Sequence, residues 1–182
     1  MNPYKVTKQA MKEIDSRTQE KIRQLFPNGI PDEIAKHLGR ERRVLQSTPY
    51  TYALLIADSI IKEFEHYNLS AGLGGDWTCS YYAWLLELTS EDLIREAAMY
   101  RCYFGLEMKQ MIRDRCFESP VEIYVSPKWM RGACVELLDK YAKEWGFWIC
   151  ECPNGKWKLI NECFRENDIY AARAPVIQII DS

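Results

Sequence analysis

"FWICECPNGKWKLINECF", residues 147–164, is the stretch on which the fold turns. Two runs rich in aromatic and β-branched residues flank Asn154-Gly155. That dipeptide suits a two-residue hairpin turn, where both central residues need positive φ. With such a turn Glu151 pairs with Lys158 and Cys150 with Leu159. Trp148, Cys150, Cys152, Trp157 and Leu159 then share one face, expected to be the buried one. Working outward, "VEIYV" at 121–125 alternates as a strand and "PVIQII" at 175–180 reads as another. Between them a helix over Lys128 to Trp145 is expected, with Ser126-Pro127 as its start and Gly146 as its stop. Met130, Ala133, Cys134, Leu137, Leu138, Tyr141 and Trp145 would face inward, and Glu136–Lys140 and Asp139–Lys143 form outward pairs of helpful sign. Residues 119–182 thus read β-α-β-β-β, with the strand–helix–strand unit expected to cross over right-handed.

Upstream the texture is helical. A stripe of Val6, Ala10, Met11, Ile14, Thr18, Ile22, Leu25 and Phe26 predicts a first helix. "FPNGIP" reads as a turn, and Asp32 to Leu38 as a short helix with Gly39 as its stop. "STPY" opens a helix over Ala53 to Tyr67. "NLSAGLGGDW" reads as a mobile glycine-rich loop with Trp77 as a contact anchor. "SYYAWLLEL" reads as another helix. "TSEDL" is a start signal for one running to Arg115. The fold class is α+β: a helical N-terminal lobe, residues 1–118 with a basic N-terminal segment, then a small β-α-β-β-β sheet over 119–182 with a helix packed on one face. The two parts are also compatible with one continuous domain.

The 182 residues, 47% hydrophobic and 13% aromatic, suffice for a packed core and exclude a disordered chain. The net charge of −2 is unevenly spread: residues 1–46 carry ten Lys/Arg against six Asp/Glu. Such asymmetry hints at a basic contact surface. No run is long and apolar enough for a membrane span, and the start has no apolar signal core. Seven scattered cysteines suit reduced thiols in a cytoplasm better than a disulfide framework.

"PDEIAKHLGRERRVL", residues 31–45, resembles the front of a helix-turn-helix. Ala35 takes the small-residue position, Gly39 the turn, and Ile34 and Leu38 the core anchors. The match then decays: Arg40 stands where an apolar residue is usual, and Pro49 shortens the second helix. A plain helix with a glycine stop competes with a DNA-reading motif. Independently of that choice, Lys36, Arg40, Arg42 and Arg43 form a basic cluster. Arg suits phosphate or carboxylate because its planar fork binds two oxygens. Lys8 and Lys12 would widen the patch if the first helix packs alongside.

Other chemistries find little support. Cys150 and Cys152 share a strand face, but Cys163 lies roughly 13 Å further along the hairpin, too far for one tetrahedral ion. No metal or cofactor is expected, and buried free thiols are. His37 and His66 are the only histidines. "GLGGDW" lacks the Lys-Ser/Thr of a phosphate loop. No catalytic residues are assigned, so binding is favoured over turnover, and no small-molecule substrate is expected.

The length, the opening "MNPYKVTKQAMKEIDSRTQEKI" and "GDWTCSYYAWLLELTSEDLI" resemble a type II-A anti-CRISPR protein, a Cas9 inhibitor carried by phages and mobile elements of gut bacteria. Such inhibitors share no diagnostic motif, so no binding residue is carried over. The resemblance implies a non-enzymatic inhibitor in the cytoplasm of a bacterial host, which binds the Cas9–guide RNA complex and blocks target-DNA cleavage. Double-stranded DNA is a further implied contact. The alternative reading is a DNA-binding regulator using residues 31–45.

Overall fold

The computed structural model describes residues 6–89, 120–162 and 174–181. Its elements are α1 (Lys8–Leu25), α2 (Asp32–Ser47), α3 (Tyr50–His66), β1 (Ser70–Gly74), a 3-10 turn (Gly75–Cys79), α4 (Tyr81–Leu85), β2 (Val121–Ser126), α5 (Met130–Glu144), β3 (Trp148–Cys152), β4 (Lys156–Ile160) and β5 (Val176–Asp181). The helix expected from "TSEDL" to Arg115 lies outside the described residues, as does Cys163.

Among the described elements, α3 packs against α1, α2, α5, β1 and β2. Twelve of its 17 residues are buried, among them Leu54, Leu55, Ile56, Ile60, Ile61 and Phe64. A helix apolar on every side is stable only when enclosed. On one side lies α1, whose N-terminus is capped by Thr7 accepting from the Ala10 amide at 3.2 Å. Asp58 of α3 is fully buried and answered from two helices. Arg17 of α1 meets one carboxylate oxygen at 2.5 Å, and Lys62 of α3 meets the other at 2.7 Å. On another side α5 packs along α3, and Tyr52 sets its ring 5.7 Å from Trp145 and 4.9 Å from Phe147.

The sheet has five strands in the order β1-β2-β5-β4-β3. Only β2 and β5 are parallel neighbours; the other pairings are antiparallel. Strands β2 and β3 therefore run in the same direction, with two strands between them. Both α3 and α5 cover one face, onto which Val121, Ile123, Val125, Leu159, Ile177 and Ile179 are buried. An α+β architecture with an N-terminal helical region is the outcome. The segment 70–79 is not a loop, however. Residues 70–74 form the edge strand β1, registered Ser70 to Ser126 through Gly74 to Glu122. The sheet therefore draws strands from both sides of the 118/119 division.

The hairpin register differs from expectation by one residue. Cys152 pairs with Lys156, Glu151 with Trp157, Cys150 with Lys158 and Ile149 with Leu159. The loop is Pro153-Asn154-Gly155, with Asn154 and Gly155 at φ 65° and 69°. A two-residue loop would have placed Pro153 opposite Lys156, where a ladder donor is needed and proline has none. A one-residue slip exchanges faces. Trp157 and Leu159 now face the helices with Ile149, while Trp148, Cys150 and Cys152 lie on the opposite face. Cys150 is exposed, contrary to the expected burial, whereas Cys79 and Cys134 are buried. Burial pushes the Cys134 thiol up to about 12.

Three boundaries also moved. Helix α3 begins at Tyr50, so Pro49 precedes it and no side chain caps it. Helix α5 begins at Met130, after Trp129 and not at Pro127, and Ala133 is on its exposed side. Most consequentially, α2 runs unbroken through Gly39 to Ser47. Neither a glycine stop nor a helix-turn-helix corner exists there. Space is open around Gly39 for a Cβ, and its φ is not positive. We therefore expect Gly39→Ala to stabilise the protein by about 0.5–1 kcal/mol, as for any glycine in a helix interior. Urea unfolding measures it; a loss of stability would indicate a turn at this position.

Candidate functional site

Helix α2 organises the basic cluster, and it splits that cluster in two. Its inward stripe is Ile34, Leu38, Glu41 and Leu45, at the spacing of one helix face. Leu38, Glu41 and Leu45 are buried, and Ile34 packs against the core. Glu41 is 1% exposed. Its Oε1 accepts from the Tyr81 amide at 2.8 Å and its Oε2 from the Tyr82 amide at 2.9 Å. The Ser80 hydroxyl donates to Oε2 at 3.3 Å and itself accepts from the Ala83 amide at 3.1 Å. The first amides of a helix have no partner within it. A carboxylate there satisfies them and meets the positive end of the helix dipole. Glu41 thus caps α4 from a different helix.

Arg42 is committed as well. Its guanidinium makes a two-pronged ion pair with Asp15 of α1, the second prong at 2.7 Å. The hydrogen bonds that Arg42 donates to Asp15, with a smaller contribution from Tyr82, outweigh partial burial and hold the Arg42 pKa above its ordinary value. Burial raises the Tyr82 phenol, with the Arg42 hydrogen bond opposing it. Residues 41 and 42 therefore join α1, α2 and α4.

What projects is Lys36, Arg40 and Arg43, all exposed. At positions i, i+4 and i+7 they form a single ridge, on the side of α2 opposite Glu41 and Leu45. Arg43 Nε donates to the Gly39 carbonyl at 3.2 Å, an orientation that lays its stem along the helix. Asp32, Glu33, Lys36, His37 and Arg40 line an open hollow of about 480 Å³ beside the ridge. His37 is 8% exposed and stacked on Tyr81, ring centres 5.8 Å apart. Lys8 and Lys12 are exposed on the side of α1 that carries Asp15, two turns and one turn before it respectively. Trp77 leaves the candidate surface: it is 2% exposed and stacked on Tyr50 at 5.1 Å.

Glu41 escaped the sequence reading, although its position on the Ile34–Leu38–Leu45 stripe was a signal. An acid at an inward helix position needs a donor, and Ser80-Tyr81-Tyr82 supplies a helix start that lacks an acid of its own. Among the described residues no group of three His, Cys, Asp or Glu side chains is placed to hold a metal, and no helix is long and apolar enough to cross a membrane. No family model matches the chain, and comparison with curated proteins finds no match.

The structural charges and the exposed cations of α2 should separate on mutation. Glu41→Ala strips three buried donors of their acceptor and should cost about 3 kcal/mol. Arg42→Ala removes a half-exposed ion pair and should cost about 1 kcal/mol. Arg40→Ala and Arg43→Ala should each stay within about 0.5 kcal/mol of the parent. Chemical denaturation of the four variants checks the order; a cost at Arg40 equal to that at Glu41 would contradict it.

Proposed function

We propose that this chain works by binding, as an inhibitor of the Cas9–guide RNA complex that blocks cleavage of target DNA, and that the Lys36–Arg40–Arg43 ridge is one of its contacts. The observation that carries the binding surface is the position of the ridge. It stands opposite the buried stripe of α2, so a partner can engage all three cations while Glu41 and Leu45 keep their places. The chemistry of the ridge suits phosphate oxygens or carboxylates, which two arginines can hold by bidentate hydrogen bonds. A Cas9 complex offers both, in its guide–target duplex and in its protein surface. The partner's identity rests on the sequence resemblance to type II-A anti-CRISPR proteins. A regulator that reads duplex through residues 31–45 would need the helix-turn-helix corner, which the straight α2 does not provide.

Mixing the purified chain with Cas9–guide complex before adding target should reduce cleavage in proportion to the chain added. The triple variant Lys36→Ala, Arg40→Ala, Arg43→Ala, folded by circular dichroism, should need about tenfold more protein for the same effect, given three lost phosphate-type contacts. Undiminished cleavage with the parent chain would remove the inhibitor reading. Parent-like potency of the triple variant would remove the ridge.

A further inference from the structure

The sheet has a second face, turned away from α3 and α5. The registers place its side chains in a grid. One row across the strands reads Gly74, Glu122, Gln178, Lys156, Cys152. The next reads Val176, Lys158, Cys150, and the one after carries Ile160 and Trp148. On the other side of the first row stand Gly72, Tyr124 and Ile180. Two aromatic rings, Tyr124 and Trp148, are the exposed ones on this face, at 37% and 36%. They occupy opposite corners, and the two lysines of β4 lie between them. Glu122 is the one acid of the grid among the described residues.

Tyr124 is held as a platform. A Cβ on Gly74 would overlap its ring, so the ring lies against bare backbone of β1 and remains partly exposed. Its hydroxyl donates to Glu122 Oε2 at 3.1 Å, which fixes the ring and partly engages the one nearby acid. Glu122 in turn lies close enough to Gly75 that a Cβ there would crowd its carboxylate. An exposed ring seated on a glycine offers apolar surface for stacking. Trp148 presents a second ring on the edge strand β3.

We propose that this face binds single-stranded nucleic acid, with bases stacked on Tyr124 and Trp148 and phosphates drawn to Lys156 and Lys158. Stacking on aromatic side chains tolerates any base, and cations between the platforms follow the backbone. Three strand spacings and three rows separate the two rings, about 25 Å on the diagonal. That span calls for an extended strand of roughly four or more nucleotides. A duplex hides its base faces and cannot use the platforms. The inference stands apart from the α2 ridge: it rests on other residues, on the other half of the fold.

The test is fluorescence anisotropy with labelled eight-nucleotide poly-dT, poly-rU and a duplex, at 50 mM salt and upward. Tight binding of either single strand over duplex is expected, with log K falling against log salt at a slope of about −1.4 for two phosphate contacts. Tyr124→Leu and Trp148→Leu should each weaken binding about tenfold, and Lys156→Gln with Lys158→Gln should flatten the salt slope. All should keep the parent's thermal melting within a few degrees and retain Cas9 inhibition through the ridge. Three results would overturn the proposal. The first is no single-strand binding by the folded parent. The second is preference for duplex, or for a poly-glutamate competitor. The third is binding abolished by Arg40→Ala and Arg43→Ala yet untouched by the ring variants.

Discussion

A single carboxylate holds the helical half of this molecule in register. Glu41 satisfies the first two amides of α4, and it does so from within the apolar stripe of α2. Burying a charge is costly unless every oxygen is answered. Here two amides and a hydroxyl answer it. The arrangement is directional: α2 can approach α4 at one height and one rotation only. Arg42, the next residue, makes the same demand on α1 through Asp15 and on α4 through Tyr82. Adjacent residues on one helix point roughly 100° apart, so two neighbouring side chains fix two different partners. The buried helix α3 supplies the apolar driving force for the fold, and this pair supplies its specificity.

That division of labour explains the shape of the candidate surface. Of the four cations expected to form one patch on α2, the one nearest the α1 seam became structural and the other three were left on the far side. A basic cluster in sequence is a list of charges; the helix decides which of them share a side. Asp58 repeats the lesson in α3, where an acid in an otherwise apolar helix draws Arg17 out of a run of charges that reads as solvent-exposed.

Much of the fold was legible. The helical period of α1 and α3, the alternation of β2 and the Asn154-Gly155 turn all announce themselves because local pattern and final burial agree. What was missed depended on partners distant in sequence. Gly39 looks like a stop until the apolar stripe is extended through Leu45. Ser70–Gly74, with two glycines, has almost no strand signal of its own. It becomes a strand because β2 offers an open edge and Tyr124 needs a neighbour without a side chain. The hairpin error was local, and a proline's missing donor corrects it. Glu41 was the least legible, because charged residues are expected at the surface and its amide donors lie some forty positions away. The exposed ridge was visible as composition, but not as geometry.

The strand order carries a consequence for how the molecule comes into being. β5 is the last of the five strands to be synthesised, yet it takes the middle position, with β2 on one side and β4 on the other. Until it emerges from the ribosome, the nascent chain holds two separate ribbons, β1 with β2 and β3 with β4. Each has an edge waiting for the same missing piece. Completion of the sheet therefore waits for β5. A ribosome stalled shortly before that strand would leave both ribbons open to capture by chaperones or by each other's counterparts on neighbouring chains.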